Sequence, residues 1–219
     1  MRRLYKLWKN NRSLIIFICL MSVFRSAVAD WYEVPTASMN PTIVEGDRIL
    51  TNKMAYDLRL PFTHTSLMRT AEPEVGDIIV FDSKAANNRL IKRVIGLPGD
   101  TVSMINNELI INDQAISYTK LKENDIEQTL IENLPSAAHV IQVSKTPSLV
   151  QHFSKVTIPK DMYLVMGDNR DNSADSRVIG FVPRDELLGK ANKVIVSLDY
   201  DNNYFPRKER VLKDLYSAP

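Results

Sequence analysis

After residue 33 this sequence sustains no helical stripe; short β-rich runs recur instead, each closed by a turn signal. The runs are Arg48–Thr51, Ile78–Phe81, Leu90–Ile95, Thr101–Ile105, Glu108–Ile111, Val140–Val143, Met162–Met166 and Val194–Leu198. Gly-Asp pairs at 46–47, 76–77, 99–100 and 167–168 punctuate them. Asn106-Asn107 separates two runs and suits a tight hairpin, because Asn tolerates positive φ better than most residues. The pattern predicts a mainly β, antiparallel fold. Glu123–Asn133 is the exception, with Ile126 and Leu130 spaced for one side of a short helix. Residues from about 107 to 158 are more polar and motif-free, which marks a smaller region inserted into the core.

The N-terminus differs from the rest. Arg2, Arg3, Lys6, Lys9 and Arg12 form a cluster free of acids, and Leu14–Phe24 follows as an apolar stretch. Extended to Tyr32, the segment reaches the length of a bilayer-spanning helix, although Arg25 and Asp30 interrupt it. Arg25 near one end can snorkel, and Trp31 and Tyr32 suit a membrane interface. The expected organisation is a basic cytoplasmic tail over 1–12, a transmembrane anchor over 13–32 and an extracytoplasmic domain over 33–219. A cleavable export signal fits the same residues, because Ala27-Val28-Ala29 is a small-x-small site. Either reading exports the bulk of the chain.

Without the five N-terminal cations, acids outnumber bases, so nothing marks the main domain as a nucleic-acid surface. The single cysteine, Cys19, lies in the apolar run, which leaves the exported part without disulfides or thiolate metal sites.

Three segments carry chemistry. Val34-Pro35-Thr36-Ala37-Ser38-Met39-Asn40-Pro41-Thr42 brackets a serine between two prolines that favour extended backbone, which argues against a helix through it. Taken alone, Ser38 reads as an ordinary turn serine. In Asn88–Asp100, strand alternation puts Lys92 on the side of Leu90 and Val94, with Arg93 opposite. Burial there disfavours the charged form of Lys92. To serve as a base near neutral pH its pKa must fall from about 10.4 by roughly two to three pH units. The plain alternative is an exposed lysine guarding a sheet edge. The third segment, Gly167-Asp168-Asn169-Arg170-Asp171-Asn172-Ser173-Ala174-Asp175-Ser176-Arg177, is rich in oxygen ligands. It fails the EF-hand pattern, with no Gly at the sixth position and Ile179 where the bidentate Glu belongs. In an extended segment Asp175 and Arg177 share a side and can pair.

Together the three segments resemble the bacterial type I signal peptidases: a serine box P-T-A-S-M-N-P-T, a lysine box I-K-R-V-I-G-L-P-G-D and the loop G-D-N-R-D-N-S-A-D-S-R. The similarity runs from about residue 14 to about 199. It implies Ser38 as nucleophile and Lys92 as general base, with Thr36 and the Ser38 amide binding the oxyanion. It further implies that Ser173 hydrogen-bonds and orients Lys92, and that Asp168–Arg93 and Asp175–Arg177 brace the site. The family's substrates bind extended beside enzyme strands, which makes Val34, Met39, Leu90 and Ile91 candidates for lining the substrate pockets. The implied activity is removal of signal peptides from exported preproteins after Ala-x-Ala sites, at the lipid surface of the bacterial cytoplasmic membrane, with no metal and no cofactor. A retained anchor suits that activity better than a cleaved signal, because it keeps Ser38 near the bilayer, although self-cleavage after Ala29 stays open.

The chain departs from many relatives in having Thr36-Ala37 where they have Ser-Gly, and in having one candidate membrane segment and a shorter insertion. The alternatives are a peptidase dedicated to one secretion or conjugation system, a self-cleaving repressor-type peptidase, and a non-catalytic membrane-tethered binding protein. His64, His139 and His152 sit in no motif, so a Ser–His–Asp hydrolase is disfavoured and all three read as structural or solvent-exposed.

Overall fold

The computed structural model describes residues 2–63 and 65–217, with side chains from residue 11 onward. A helix, α1 (Arg2–Ala27), leads into β1 (Ala29–Glu33) and β2 (Asp47–Asn52). The hairpin of β3 (Asp57–Arg59) and β4 (Ser66–Arg69) precedes β5 (Ile78–Ser83) and β6 (Asn88–Gly96). Next come β7 (Thr101–Ile105), β8 (Glu108–Ile111), β9 (Gln114–Ala115), β10 (Ser117–Glu123), β11 (Glu127–Asn133), β12 (Ala138–Ser144) and β13 (Phe153–Thr157). The chain closes with β14 (Met162–Met166), the one-turn α2 (Ser176–Ile179), β15 (Val182–Pro183), β16 (Leu187–Asp199) and β17 (Phe205–Pro206).

Strand pairing is antiparallel throughout these elements, as the alternating runs require. The main sheet is ordered β1-β2-β16-β5-β6-β14-β15, with β17 on β16. At its centre, Ile78, Ile79, Val80 and Phe81 of β5 are fully buried, so both faces of the sheet are covered. One face packs Val34, Met39, Ile43, Ile49, Ile78 and Val80 together; the other packs Ile79, Phe81, Val94, Tyr163 and Val165. Burying such side chains contributes about 1.5–3 kcal/mol each, in a domain that has no disulfide to add to it.

Strands β7 to β13 form a separate lobe between β6 and β14, which are themselves paired in the main sheet. It contains the sheet β13-β7-β8-β9 and the sheet β10-β11-β12. The lobe opens at β7, earlier than the polarity change near residue 107 suggests. Asn106 and Asn107, with φ of 52° and 63°, make the expected hairpin turn between β7 and β8. The helix expected over Glu123–Asn133 is instead the turn into β11 and the strand itself, paired on both edges. Two ladders of backbone hydrogen bonds there outweigh a weak helical spacing.

The N-terminal segment also differs from expectation. The helix stops at Ala27, and Ala29–Tyr32 belong to β1, paired with Asn52 to Ile49 of β2. Trp31 and Tyr32 are therefore sheet residues of the main domain. Among the described residues no helix is long and apolar enough to cross a membrane. The apolar run of Leu14–Phe24 spans only about 16 Å as helix, against a hydrocarbon core of about 30 Å.

Candidate active site

Ser38 lies on a single 3-10 turn, Ala37–Met39, flanked by extended residues at Thr36 (φ −136°, ψ 153°) and Asn40 (φ −60°, ψ 142°). The prolines keep the flanks extended but leave room for one tight turn between them, so the expectation of no helical residues fails at this turn alone. Val34 and Met39 are buried in the core beneath it, 3% and 1% exposed, and pin it from below. Asn169 holds it from the side: its backbone amide donates to the Ser38 carbonyl at 3.1 Å and its side-chain amide to the Ala37 carbonyl at 3.2 Å. Ala37 is free of positive φ, so the glycine common in relatives is not needed there.

Lys92 sits in β6 opposite Ile79 of β5 and is 2% exposed. Its other flank is open, because β14 last pairs with β6 at Met166–Arg93. Residues 88 to 92 therefore present an unpaired edge beside the serine turn. Lys92 Nζ lies 2.8 Å from Ser38 Oγ and donates to the Ile91 carbonyl at 2.9 Å. Burial pushes the Lys92 pKa down to about 8, although the Asp175 and Asp168 carboxylates pull the other way. A fully ionised lysine at this position would be a poor base; this one is partly neutral at physiological pH.

The supporting charges fall behind this pair. Arg93 and Asp168 are both buried and form a two-armed ion pair at 2.7 and 2.8 Å, and Arg93 also donates to the Gly76 carbonyl. Asp175 and Arg177 pair at 2.7 and 2.8 Å, but not through an extended strand. Asp175 caps α2 and also accepts from the Gly167 amide, so its carboxylate fixes the backbone between the two. The segment's carboxylates turn to separate partners: Asp168 to Arg93, Asp175 to Arg177, and Asp171 to Asn107, Ser148 and the Ser144 amide. Among the described residues no cluster is arranged to hold a metal ion.

Two implied contacts are weaker. Thr36 Oγ1 faces Ser38 Oγ at 3.5 Å, on the solvent side of the turn. The Ser173 hydroxyl is shielded from solvent and acts on the Asp175 carboxylate, and the bond to Lys92 implied by the resemblance is not formed. Lys92 Nζ spends its contacts on Ser38 and Ile91, while Ser173 sits against Gly167.

Val34, Met39, Leu90 and Ile91 line one cleft of about 240 Å³ together with Ser38, Lys92 and Thr36. Two further wall residues had no motif to reveal them: Arg89 stacks over the Tyr32 ring at 4.7 Å and pairs with Asp82. The histidines are elsewhere. His139 is buried between Glu132 and Asp168, His152 is exposed with Nδ1 accepting from the Asn106 amide, and His64 lies outside the described residues.

A serine within hydrogen-bond reach of a buried lysine, on an antiparallel β scaffold, is an arrangement that can support the chemistry of a serine peptidase. The family model described as "Signal peptidase, peptidase S26" matches residues 7–196. Signal peptidase I of Pseudomonas aeruginosa is 36% identical over 199 residues, covering 84% of this chain and 69% of the relative. Signal peptidase I of Buchnera aphidicola from Acyrthosiphon pisum is 33% identical over 242 residues, covering 90% and 77%. A crystal structure of a signal peptidase I from Enterococcus faecalis is 32% identical and matches 55% of this chain and 97% of its own, with a TM-score of 0.38. The chain belongs to the signal peptidase family, peptidase S26, and is a serine peptidase.

Proposed function

We propose that this peptidase removes N-terminal signal peptides from exported preproteins at the surface of the bacterial cytoplasmic membrane, cutting after Ala-x-Ala. The observation that carries the reading is the 2.8 Å contact between Ser38 Oγ and a buried Lys92 whose pKa is lowered to about 8. Neutral Lys92 takes the serine proton as Oγ adds to the scissile carbonyl. The oxyanion is met by the Ser38 amide and the Thr36 hydroxyl. The lysine ammonium then returns the proton to the departing amine, leaving an acyl-enzyme. Water, deprotonated by the same lysine, hydrolyses the ester and restores Ser38. A substrate strand along the open edge of residues 88–91 would lay its side chains into the cleft of Val34, Met39, Leu90 and Ile91.

Ser173 supplies the remaining contact in this scheme. A neutral amine has two N–H groups and one lone pair; the lone pair faces Ser38 and one N–H faces Ile91. In this reading the Ser173 hydroxyl, which is shielded from solvent, accepts the other when substrate is bound. The exposed apolar residues of α1, including Leu14, Phe17 and Leu20, serve as a tether that holds the β domain at the bilayer surface.

The test is cleavage of a preprotein ending its signal in Ala-x-Ala, in neutral detergent. Intact protein should cut after the second Ala, and Ser38→Ala and Lys92→Ala should be nearly inactive while keeping the β circular-dichroism spectrum. Unimpaired cleavage by Lys92→Ala would remove lysine from the role of base.

A further inference from the structure

A larger cavity, of about 830 Å³, lies between the β10-β11-β12 sheet and the C-terminal segment around residues 213–217. Neither Ser38 nor Lys92 lines it, so it is separate from the catalytic cleft. Its size falls in the range of small-ligand sites. Pro41, Leu121, Ala137, Val140 and Leu215 give it apolar walls.

Two polar features of this hollow lack partners. His139 lines it with a side chain only 5% exposed, and neither ring nitrogen has a hydrogen-bond partner. Glu132 and Asp168 lie 3.3 and 3.7 Å from Nε2, yet both carboxylates are committed to guanidinium groups, those of Arg170 and Arg93. A polar group buried in this way usually has a partner. Lys122 and Lys213 also line the cavity, and neither forms an ion pair among the described residues. The lone acid of the wall, Asp214, accepts from the Tyr216 amide. Burial lowers the Lys213 pKa and nearby Arg210 lowers it further, against the smaller opposing pull of the Asp47 carboxylate.

We propose that this cavity binds a small amphipathic anion, a carboxylate or phosphate on a short alkyl chain. Its head group pairs with Lys122 and Lys213, and its body lies along Leu121, Val140 and Leu215 over His139. The same wall carries Thr42, close after Ser38, and Arg93, next to Lys92. An occupant therefore presses on the frame of the catalytic pair from outside the cleft and would act as an effector of turnover.

Binding is measured on full-length Ser38→Ala protein in neutral detergent, so the outcome does not depend on catalysis. Calorimetry with octanoate, octyl phosphate, octylammonium and octyl glucoside is combined with nitrogen NMR of labelled histidines, the His139 signal being assigned by His139→Gln. Saturable binding of an octyl anion, with a shift of the His139 ring signal and none of His152, is expected. The double variant Lys122→Gln, Lys213→Gln should weaken binding about tenfold or more. Octanoate alone binding would point to a fatty-acid source, and octyl phosphate alone to a phospholipid head group. Equal binding of octyl glucoside or octylammonium, an unaffected double variant, or no binding of either anion overturns the proposal.

Discussion

Asn169 grips the turn that carries Ser38 through two bonds, one from its backbone amide to the Ser38 carbonyl and one from its side chain to the Ala37 carbonyl. The loop that holds Asp168 and Asp175 thus also fixes Ser38. Asn169→Ala keeps the backbone bond and loses the other. Because small displacements of a reacting group are costly, kcat should fall about ten- to a hundredfold with KM little changed. Steady-state kinetics with a signal-peptide substrate would check this, and a change confined to KM would count against a positioning role.

Gly167 is the second constraint on the same turn. A methyl group there would lie 2.4 Å from the Ser38 carbonyl and 2.3 Å from Ser173 Oγ. Backbone and side chain would have to part, so Gly167→Ala should destabilise the fold by about 1–3 kcal/mol. Activity should fall more than stability explains, at least a hundredfold. Urea denaturation measured beside turnover separates the two losses.

The proposed mechanism requires neutral Lys92, whose pKa burial lowers to about 8. The rate kcat/KM should therefore climb nearly tenfold per pH unit below that value and level off above it. The Asp168 and Asp175 carboxylates that act on the lysine are held below their usual range and keep their charge here, so the rise should follow a single ionisation. A profile flat between pH 6 and 9 would show that Lys92 is not the titrating base.

The same burial has a cost in stability. Lys92 is protonated in both folded and unfolded chains below pH 8, and there its desolvated charge opposes folding. Between about 8 and 10.5 the unfolded chain binds the extra proton, so this penalty fades as pH rises. At pH 7 Lys92→Met should be more stable than the native chain by up to about 3 kcal/mol, while inactive. The gain should vanish near pH 10.5, which denaturant midpoints at the two pH values would reveal.

The β character was legible because alternation is local: β2 buries Asp47, Ile49 and Thr51 and half-exposes the residues between. Asn106-Asn107 was equally local, since the turn depends on those two residues alone. The errors arose where one segment suited two environments. Ile126 and Leu130 are spaced for a helix, but pairing with β10 and β12 decided for a strand. Trp31 and Tyr32 suit a membrane interface and a sheet edge alike. The site was legible only through its motifs, because nothing in the spacing says that Ser38 and Lys92 lie 2.8 Å apart. Glu132, His139 and Arg170 meet from distant segments, and the first two carry no local mark at all.

The small-x-small sequence Ala27-Val28-Ala29 would suit this peptidase as a substrate, yet the fold protects it. Ala27 is 8% exposed, and Ala29 begins β1, paired with Asn52 in the first of five consecutive positions along β2. To enter the cleft the site must lie extended along residues 88–91, which requires β1 to peel from the sheet. Tyr32, at the far end of the same strand, packs against the core that buries Val34 and Met39, so peeling would also disturb the serine turn. Self-cleavage in the folded chain is therefore expected to be slow, and intact-mass analysis should find residues 1–29 retained. Substitutions that weaken β1, such as Trp31→Pro, should expose the site and permit cutting by active protein added in trans, while the native chain stays whole. A native chain truncated after Ala29 under the same conditions would mean that β1 opens readily, and that α1 is a removable leader rather than a lasting tether.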